Sequence, residues 1–543
     1  MLKDDRPDIL PERPTVPISL RSSLPLLLLT LLAGWACGPK PCSECDTLVI
    51  VAVGQPSGLL PPLVFETVGR DISDRIFERL ADLPADGSPL DPADYRPALA
   101  ERWERIDDRR WRFHLRQGVT WHDGEPFTAE DVRFSFEMFS DPMVDALALA
   151  SIQGITVEVV DGSTVDIVFP SAGPEQLYDA TYHVRIVPSH IWGGMAPDEW
   201  LADTATSRII GTGPYRLTSW DQPISLRLDA SGMNGHRPAV NALVWNFQSD
   251  PDAAANLLLS HAVDVMEAVP PPRQEEVAAD PEIRLVPYPS AVYGFLAFNL
   301  DGRSVLGRRA VRRALAQAVD REVIAPAVVG PGTVVPKGPM SRLLWVNDDG
   351  IAQLSFDTAA ARLELVADGW ILDGTQWERN GTALAFDILV PSTSRSRQLM
   401  AEVLQEAWRL QGVRVTITSV DFPVFLERLR ERRFDSYIGA FLDEPSARGL
   451  ADQWTTAGWD MGNYGRYANP VFDSLALLAN ATANAADAKR LWVEALSVLN
   501  EDAPAIFLFT PVNVAGVNQR IEGVTINPYA WLEDVATWGV SAR

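Results

Sequence analysis

The stretch that decides the fold is Tyr95 to Pro142, YRPALAERWERIDDRRWRFHLRQGVTWHDGEPFTAEDVRFSFEMFSDP. Within it, Trp111, Phe113 and Leu115 alternate with polar residues. This alternation is the period of a strand with one buried and one solvated face. The sequence therefore predicts a half-buried strand here, followed by a turn at Gln117 and Gly118.

The second half of the same stretch predicts a helix. Thr128 and Asp131 have the spacing of a capping box, in which the two residues satisfy free backbone N–H groups at a helix start. Helical spacing then directs three apolar residues inward: Val132, Phe136 and Phe139. We expect the helix to end before Pro142, because the residue before a proline avoids helical geometry.

Upstream of this stretch, the sequence again predicts a strand followed by a helix. Leu48 to Val53, LVIVAV, is a short apolar run typical of a buried strand. Four apolar residues then repeat at helical spacing: Ile72, Ile76, Leu80 and Leu83. Strand and helix periods continue to alternate along the chain without a tandem repeat, which favours an α/β or α+β architecture.

Two downstream segments predict structural rather than catalytic elements. Gly211, Gly213 and Pro214 precede a strand through Tyr215, and they lack the following helix and lysine of a phosphate-binding loop. We interpret them as a turn. The segment from Arg308 to Ala325 predicts one amphipathic helix whose arginines lie on a solvated face: Arg309, Arg312, Arg313 and Arg321.

The composition excludes several classes of protein. The 543 residues are 47% hydrophobic and 22% charged, values typical of a folded globular protein of several domains. The formal net charge is −25. A field of that sign repels polyanions, so we predict binding neither to nucleic acid nor to an anionic membrane surface.

The first thirty-six residues have the features of an export signal. The run from Leu24 to Ala36, LPLLLLTLLAGWA, is uncharged and follows the basic residue Arg21. It is shorter than the roughly 20 residues that a membrane-spanning helix needs, but it suits the core of a signal peptide. We therefore predict a signal peptide over residues 1–36 and an extracytoplasmic location, in the periplasm or cell envelope.

The three cysteines of the chain, Cys37, Cys42 and Cys45, all follow this run directly. Ala36 and Cys37 resemble the cleavage site of bacterial lipoproteins, which implies a lipidated Cys37, although Gly34 and Trp35 depart from that pattern. In an exported chain, a local disulfide between Cys42 and Cys45 is the simplest interpretation. Residues 37–45 are therefore predicted to be a tether.

No enzyme signature is present in the sequence. The motifs GxSxG, HExxH, GxxxxGK[ST] and GxGxxG are all missing. The six histidines lack the close spacing of metal ligands: His114, His122, His183, His190, His236 and His261. We predict a protein that is not an enzyme and that contains no catalytic residue, metal or cofactor.

Beyond these local patterns, the 95–142 stretch resembles the family 5 extracellular solute-binding proteins, which are receptors of bacterial ABC importers for oligopeptides, dipeptides, nickel and related solutes. Further segments match the family in the same order. They are IIGTGPYRLTSW at 209–220, FNLDGRSVLGRRAVRRALAQAVDREVI at 298–324, NYGRYANPVFDSL at 463–475 and EDAPAIFLF at 501–509. The resemblance covers nearly the whole chain after the tether.

The resemblance implies a two-lobed α/β clamp of the type II periplasmic-binding-protein kind, with an extra subdomain inserted into the first lobe. We place the first lobe at 46–83, 204–286 and 512–543, the inserted subdomain at 84–203, and the second lobe at 287–511. Two crossings, near 288–298 and 508–514, are expected to join the lobes as a hinge. The solute would lie in the cleft between the lobes.

In the peptide receptors of this family, backbone groups of both lobes pair with the main chain of the solute. The resemblance places the first-lobe edge of this site at Gly69, Arg70 and Asp71, although Asp71 is equally suited to be a helix cap. It places the second-lobe strand at Ile438 through Leu442. The predicted second-lobe contacts are Tyr437, Gly439, Ala440, Phe441, Leu442, Asp443, Trp454, Trp459 and Tyr464.

The sequence departs from the family directly after that strand, where peptide-binding relatives carry an aspartate for the α-amine of the peptide. Here the chain reads SYIGAFLDEPSARGL. Counting back from Glu444 and Pro445 puts Phe441 in that position, whereas counting forward from Asp435 leaves Asp443 to serve. If Phe441 lines the cleft, a capped peptide, a sugar-like solute or an aromatic solute becomes more plausible, because a buried ammonium needs a partner.

Together these features predict a monomeric receptor, lipid-anchored but otherwise not membrane-bound, that delivers an oligopeptide-like solute to the permease of an ABC importer. One alternative keeps the receptor class but changes the solute to a carbohydrate, an opine or a metal chelate. Another alternative is an extracytoplasmic enzyme or an envelope assembly protein on the same fold.

Overall fold

The computed structural model describes residues 46–146, 148–203, 205–300, 304–459 and 461–541. The predicted signal peptide, the predicted tether and all three cysteines lie outside these residues. Within the described part of the chain, none of the helices has both the length and the apolar character needed to cross a membrane.

The first large sheet has seven strands and mixed pairing. Thr47–Val53 lies at its centre and pairs in parallel with Ala242–Gln248 and Val265–Met266. This position explains the continuous apolar run of the strand, because it is buried on both faces. From edge to edge the strands are Ile283–Pro289, Val512–Asn518, Val265–Met266, Thr47–Val53, Ala242–Gln248, Ser225–Ala230 and Tyr215–Asp221. Its helices are Thr67–Ile76, Pro251–Leu259 and Gln274–Ala278.

The second large sheet has five strands, and we call the body around it the second lobe. In spatial order its strands are Arg414–Val420, Ala385–Pro391, Ser436–Leu442, Val292–Phe298 and Ala505–Phe509. Its helices are Arg309–Gln317, Arg321–Val329, Thr358–Ala367, Arg395–Leu410, Phe422–Arg430, Arg448–Trp454, Pro470–Ala481 and Ala485–Asp502. A small sheet of Ile371–Asp373, Gln376–Arg379 and Thr382–Ala383 adjoins them in the sequence.

A third, antiparallel sheet contains strands from the 95–142 stretch. Its strands, in spatial order, are Ala100–Asp107, Arg110–Leu115, Thr164–Val168 and Thr156–Asp161. The predicted half-buried strand is confirmed, since Phe113 and Leu115 are buried. The capping box is also confirmed: it opens the helix Ala129–Phe139, whose predicted inward residues are all buried. Shorter helices follow at Leu149–Ile152, Gln176–Thr181, Ser189–Trp192 and Pro197–Ala202. We call this body the inserted subdomain, and the body around the seven-stranded sheet the first lobe.

Two short connections carry the chain between the large sheets. Ile283–Pro289 belongs to the first sheet and Val292–Phe298 to the second, so the chain changes sheet at Ser290 and Ala291. The boundary at 286–287 drawn from the sequence falls inside the first of these strands. The return connection is Thr510 and Pro511, and the Ser290 N–H donates to the Pro511 carbonyl at 3.2 Å. The two crossings therefore lie side by side.

The first-lobe helix is shorter than the sequence predicted. It ends at Ile76, and Leu80 and Leu83 lie beyond it, although Leu80 is buried. The Ile76 carbonyl, which another helical turn would use, accepts a hydrogen bond from the Gly213 N–H at 2.9 Å. A Cβ on Gly211 would lie 1.9 Å from the same oxygen, which explains why the turn predicted at Gly211 requires glycine.

The single helix predicted from Arg308 to Ala325 is wrong, because the segment forms two helices. Arg309–Gln317 ends and Arg321–Val329 begins anew, with the Asp320 side chain accepting a hydrogen bond from Val323 N–H. Arg312 is also not solvated. It is buried and donates to four carbonyls, those of Leu306, Gly307, Asp502 and Ala503. It therefore joins two chain segments of the second lobe.

Candidate functional site

A cavity of about 220 Å³ lies between the lobes, and we call it the inter-lobe cavity. Arg79 and Tyr182 line it from the side of the first lobe and the inserted subdomain. Leu343, Trp345 and Pro445 line it from the second lobe. Because both bodies contribute, a solute in this cavity contacts both of them at once.

A smaller recess of about 50 Å³ shares Tyr182 with the inter-lobe cavity, and we call it the Arg70 recess. Arg70, Asp74 and Arg185 line it from the first-lobe side, and Glu444 lines it from the second lobe. The recess therefore brings charged groups of both signs together at the junction between the lobes.

The first-lobe wall of these spaces is fixed by a buried ion-pair network. Asp74 accepts hydrogen bonds from Arg79 at 2.8 Å and from Arg185 at 2.7 and 2.9 Å. Both guanidinium groups also lie over the ring of Tyr182, at 5.2 and 5.9 Å from its centre. Burial alone would raise the pKa of the Asp74 carboxyl, but Arg185 and Arg79 outweigh it and hold this pKa below its ordinary value.

Glu444 is the second-lobe carboxylate of the Arg70 recess. Its side chain is 44% exposed, and among the described residues it accepts no hydrogen bond. Burial raises the pKa of the Glu444 carboxyl, while Arg70 across the recess opposes this shift. The nearest imidazole, that of His183, lies 3.9 Å away, and burial lowers the pKa of His183 to about 3, so the ring is neutral at pH 7.

Asp443, the neighbouring carboxylate, is engaged within the second lobe. It is 8% exposed and accepts a hydrogen bond from the Ser341 N–H, while its own N–H donates to the Ala291 carbonyl at 2.8 Å. Burial raises the pKa of the Asp443 carboxyl to about 7, against the lowering effect of the Ser341 hydrogen bond. Asp443 thereby joins one of the two crossings to the loop that carries Trp345.

Phe441 and the other aromatic residues predicted for the site pack mainly within the second lobe. The Phe441 ring stacks on Phe295 at 5.1 Å between centroids. Tyr437 and Trp454 also contact the Phe295 ring, and both are buried. A Cβ on Gly439 would lie 2.8 Å from Phe295. These residues form a ring cluster around Phe295.

The remaining second-lobe residues predicted for the site are more exposed. Trp459 donates its indole N–H to the Tyr467 carbonyl at 2.9 Å, and Tyr464 lies edge-on to Tyr437. Ala440 is half-buried and Leu442 is 50% exposed at the end of their strand. Among the described residues, the lining of the inter-lobe cavity includes none of these four.

Gly69, Arg70 and Asp71 lie on one turn of the helix Thr67–Ile76. Asp71 is not the helix cap, since Glu66 holds that position, and its carboxylate accepts a hydrogen bond from the Trp531 indole at 2.9 Å. Gly69 is tightly packed, because a Cβ there would lie 2.6 Å from Val64. Among the described residues, the Arg70 side chain makes no hydrogen bond, and it faces the recess.

Four further residues were missed by the sequence reasoning: Tyr182, Glu444, Trp345 and Glu175. Glu175 belongs to the inserted subdomain and is hydrogen-bonded to Trp345 of the second lobe. Each of the four becomes significant through contacts with segments far away in the chain, and no local motif indicates them. Across the described ranges, no group of three or more His, Cys, Asp or Glu side chains is placed to hold a metal ion.

Two α/β lobes joined by paired crossings, with a cavity between them, are the architecture of solute-binding proteins. The chain belongs to the bacterial extracellular solute-binding proteins, family 5, whose family model matches residues 94–461. This result confirms the family predicted from the sequence. The family comprises receptors rather than enzymes.

Known proteins are similar to this chain over most of its length. The dipeptide-binding protein of Escherichia coli is 24% identical over 513 residues, covering 89% of this chain and 93% of its own. The structure of the oligopeptide-binding protein AppA of Bacillus subtilis, in complex with a nonapeptide, has a TM-score of 0.76 at 20% identity and covers 91% and 99% of the two chains. NikZ of Campylobacter jejuni, in complex with Ni(L-His), reaches 0.77 at 23% identity, with the same coverage. The two-lobed fold class is confirmed.

Proposed function

We propose that this protein is an extracytoplasmic receptor that captures a short peptide in the inter-lobe cavity and delivers it to the permease of an ABC importer. The observation that carries the proposal is the cavity itself, which has walls from both lobes in a member of a solute-binding family. Because the solute contacts both lobes, its binding free energy favours the state in which they meet. That state is the one the permease would recognise.

The size of the cavity favours a small solute. Its volume of about 220 Å³ is below the roughly 300–1,000 Å³ of common small-molecule pockets. A nonapeptide such as the ligand of AppA is far larger than this space. We therefore propose a solute of about dipeptide size for the arrangement of lobes described here.

The Arg70 recess shares Tyr182 with the inter-lobe cavity, and its charges suit the charged groups of a free peptide that extends from the cavity into the recess. We propose that Glu444 binds the ammonium group, since its carboxylate is exposed to the recess and lacks a hydrogen-bond donor among the described residues. Arg70 supplies a guanidinium for the carboxylate, a pairing with two parallel hydrogen bonds. Gly69 and Asp71 complete the first-lobe edge of the site, and Ala440 to Asp443 its second-lobe edge.

We also propose how the protein is exported, how it is anchored and how its chain is divided into lobes. The chain would be exported by residues 1–36, anchored through a lipid on Cys37 and monomeric. The first lobe would comprise 46–83, 204–286 and 512–543, the inserted subdomain 84–203 and the second lobe 287–511, with the boundary at 286–287 moved to Ser290 and Ala291, where the chain changes sheet. The solute would be released unchanged, without catalysis. Mass spectrometry of the mature N-terminus tests the lipid, and light scattering tests the oligomeric state.

The first experiment identifies the solute. Mass spectrometry of compounds that co-purify with the native protein gives candidates, and thermal denaturation with a panel of dipeptides, sugars and metal chelates ranks them. A solute present at 100 times its Kd stabilises the protein by about 2.7 kcal/mol. We expect dipeptides to stabilise it. Stabilisation by sugars or chelates alone would reject peptide import.

The second experiment separates the two neighbouring carboxylates. Glu444→Gln and Asp443→Asn each remove one charge, and calorimetric titration compares a free dipeptide with its N-acetylated form. We expect Glu444→Gln to weaken binding of the free dipeptide about tenfold or more, because a charge-assisted hydrogen bond is lost, and to leave the acetylated form unchanged. Equal losses for both ligands, or a selective loss in Asp443→Asn instead, would contradict this assignment.

A non-peptide solute is the second candidate, and Phe441 is the observation that favours it. Counting along the family pattern gives Phe441 as one of two candidates for the position of the amine-binding aspartate, and its half-buried ring stacks on Phe295. An aromatic chelate or a capped compound would gain from such a surface. This candidate predicts that Glu444→Gln leaves the affinity for the native solute unchanged.

A further inference from the structure

Glu175 makes the most extensive hydrogen-bonded contact between the inserted subdomain and the second lobe. Its carboxylate accepts hydrogen bonds from the Trp345 indole at 2.7 Å, the Ser446 hydroxyl at 2.6 Å and the Ala447 N–H at 2.8 Å. Glu175 is 4% exposed, so these donors replace water around a buried carboxylate. The Glu175 side chain of the inserted subdomain thus accepts hydrogen bonds from three donors of the second lobe.

The position of Glu175 is fixed from its own side. It precedes the helix Gln176–Thr181, yet its carboxylate does not cap that helix. The next residue, Gln176, accepts a hydrogen bond from Trp111 in the sheet of the inserted subdomain at 3.1 Å and donates to the Asp108 carbonyl at 2.9 Å. The sheet therefore holds the start of the helix, and Glu175 is directed toward the second lobe.

Trp345 connects this contact to the inter-lobe cavity. Its indole lines the cavity beside Pro445, while its N–H points to Glu175. The loop that carries it is held at Ser341, whose N–H donates to Asp443. A large planar ring that is fixed at its polar end and at the base of its loop has little freedom to move away from a solute.

A second contact lies directly beside the first. Arg448 donates to Asp179 at 2.6 Å and to the Ser151 carbonyl at 2.8 Å, both in the inserted subdomain. Asp179 follows Glu175 by one helical turn, and Arg448 follows Ala447 in the chain. The two contacts therefore hold the same pair of segments together.

We infer that Trp345 is a specificity-determining residue, which closes one wall of the inter-lobe cavity against solutes longer than a dipeptide, and that Glu175 is the positioning residue that holds its indole there. This inference rests on the proposed function, because it assumes that the solute binds in the inter-lobe cavity. It adds that the inserted subdomain, which contributes Glu175, selects solutes by length through a residue of the other lobe.

The chain offers a closely matched pair of variants for the test. Glu175→Ala removes all three acceptor contacts. Glu175→Gln can keep them, because the amide oxygen accepts from Trp345 and Ala447 while the amide nitrogen donates to the Ser446 hydroxyl. Trp345→Ala removes the wall itself, and Glu137→Ala, on an exposed helix face, is a neutral control.

Binding of alanine peptides of two to five residues is measured by calorimetry for each variant. We expect the wild type, Glu175→Gln and Glu137→Ala to prefer the dipeptide. Trp345→Ala and Glu175→Ala should shift the ratio of affinities toward the longer peptides by about tenfold or more. An unchanged ratio in a folded Trp345→Ala protein would overturn the inference.

A second readout does not depend on the solute. With 5-fluorotryptophan incorporated, the fluorine resonance of Trp345 is the one that is missing in Trp345→Phe. We expect this resonance to shift in Glu175→Ala and to keep its position in Glu175→Gln and Glu137→Ala. If it stays in place in Glu175→Ala, Glu175 does not position the ring. If no peptide binds the wild type, the proposed solute class fails, and this resonance still decides the contact.

Discussion

The two walls of the inter-lobe cavity are built in different ways. On the first-lobe side, Asp74 holds both Arg79 and Arg185, and both guanidinium groups lie over the ring of Tyr182. On the second-lobe side, the indole of Trp345 is held by Glu175, which belongs to the opposite body. The first wall is built entirely by the first lobe and its inserted subdomain, on one side of the cavity, whereas the second wall depends on a contact that crosses to the second lobe.

This difference means that one wall of the solute site does not depend on contact between the lobes, whereas the other wall does. The first wall keeps its shape whether or not the lobes meet, because its ion pairs do not cross the cleft. The second wall, in contrast, has the shape described here only while Trp345 is hydrogen-bonded to Glu175 across the cleft. A solute that first binds to the first wall would therefore have to be short enough to let Trp345 contact Glu175 when the lobes close. The choice of solute by length would then depend on closure of the lobes.

The strongest test of the comparison is Asp74→Asn, which removes the centre of the first wall. Two buried guanidinium groups would lose their shared carboxylate, and the side chains of Asp74 and Arg79 are only 7% and 10% exposed. Breaking a buried pair in this way costs about 3–5 kcal/mol. We expect a loss of about 3 kcal/mol in the free energy of unfolding, measured in urea at pH 7.

The control for this variant is Asp252→Asn, because Asp252 is 73% exposed and pairs with Arg273 at the surface. It should change stability by less than about 1 kcal/mol. The pH dependence has a definite sign: the folded pKa of Asp74 is lowered, so its contribution is present above the unfolded value near 3.8 and is lost as the pH falls below it. A deficit in Asp74→Asn that persists unchanged at pH 2 would contradict the ion-pair explanation.

A smaller effect is expected from Arg448→Met, which removes a contact of the second wall. The Arg448 side chain is 34% exposed, but its partner Asp179 is only 1% exposed. Burial raises the pKa of the Asp179 carboxyl to about 8, so this group takes up a proton instead of remaining as a buried unpaired charge, and we expect a loss of about 1–2 kcal/mol in urea denaturation. Arg490→Met, at a 66% exposed position, serves as the control. A loss as large as that of Asp74→Asn would show that the two walls do not differ in the way we describe.

The smallest expected effect is the pH dependence of solute affinity through Glu444. Burial raises the pKa of this carboxyl, and its ionised form is the one that attracts an ammonium group. We therefore expect the affinity for a free dipeptide to fall severalfold as the pH is lowered from 7 toward 4.5. Calorimetry of Glu444→Gln over the same range should show a weaker dependence, and parallel curves for the two proteins would exclude this carboxyl.

The local elements of the fold were predictable because their signals lie close together in the chain. The strand around Phe113 follows from alternation, the helix after Thr128 from a four-residue box, and the turn at Gly211 from its glycines. The family resemblance added the two-lobed arrangement. These inferences needed no information on contacts between distant segments.

The errors and omissions share one physical cause, which is a partner far away in the sequence. The first-lobe helix ends at Ile76 because the Ile76 carbonyl accepts a hydrogen bond from the Gly213 N–H instead of from a further helical turn. Arg312 is buried because it donates hydrogen bonds to the carbonyls of Asp502 and Ala503. Glu175 looked like an ordinary acidic residue, since its three donors lie about 170 residues or more away. Composition and periodicity contain no record of such contacts.

The order of strands in the first sheet has a consequence for how the protein is made. Val265–Met266 pairs with Thr47–Val53 on one side and with Val512–Asn518 on the other. The sheet that contains the first strand of the described chain is therefore incomplete until a strand near the C-terminus has been made. The second sheet, in contrast, draws all its strands from 292–509. Pairing across such a long interval is slow, and the first sheet remains unfinished until synthesis has passed Asn518. The core of the first lobe is therefore completed after the strands of the second lobe have all been made.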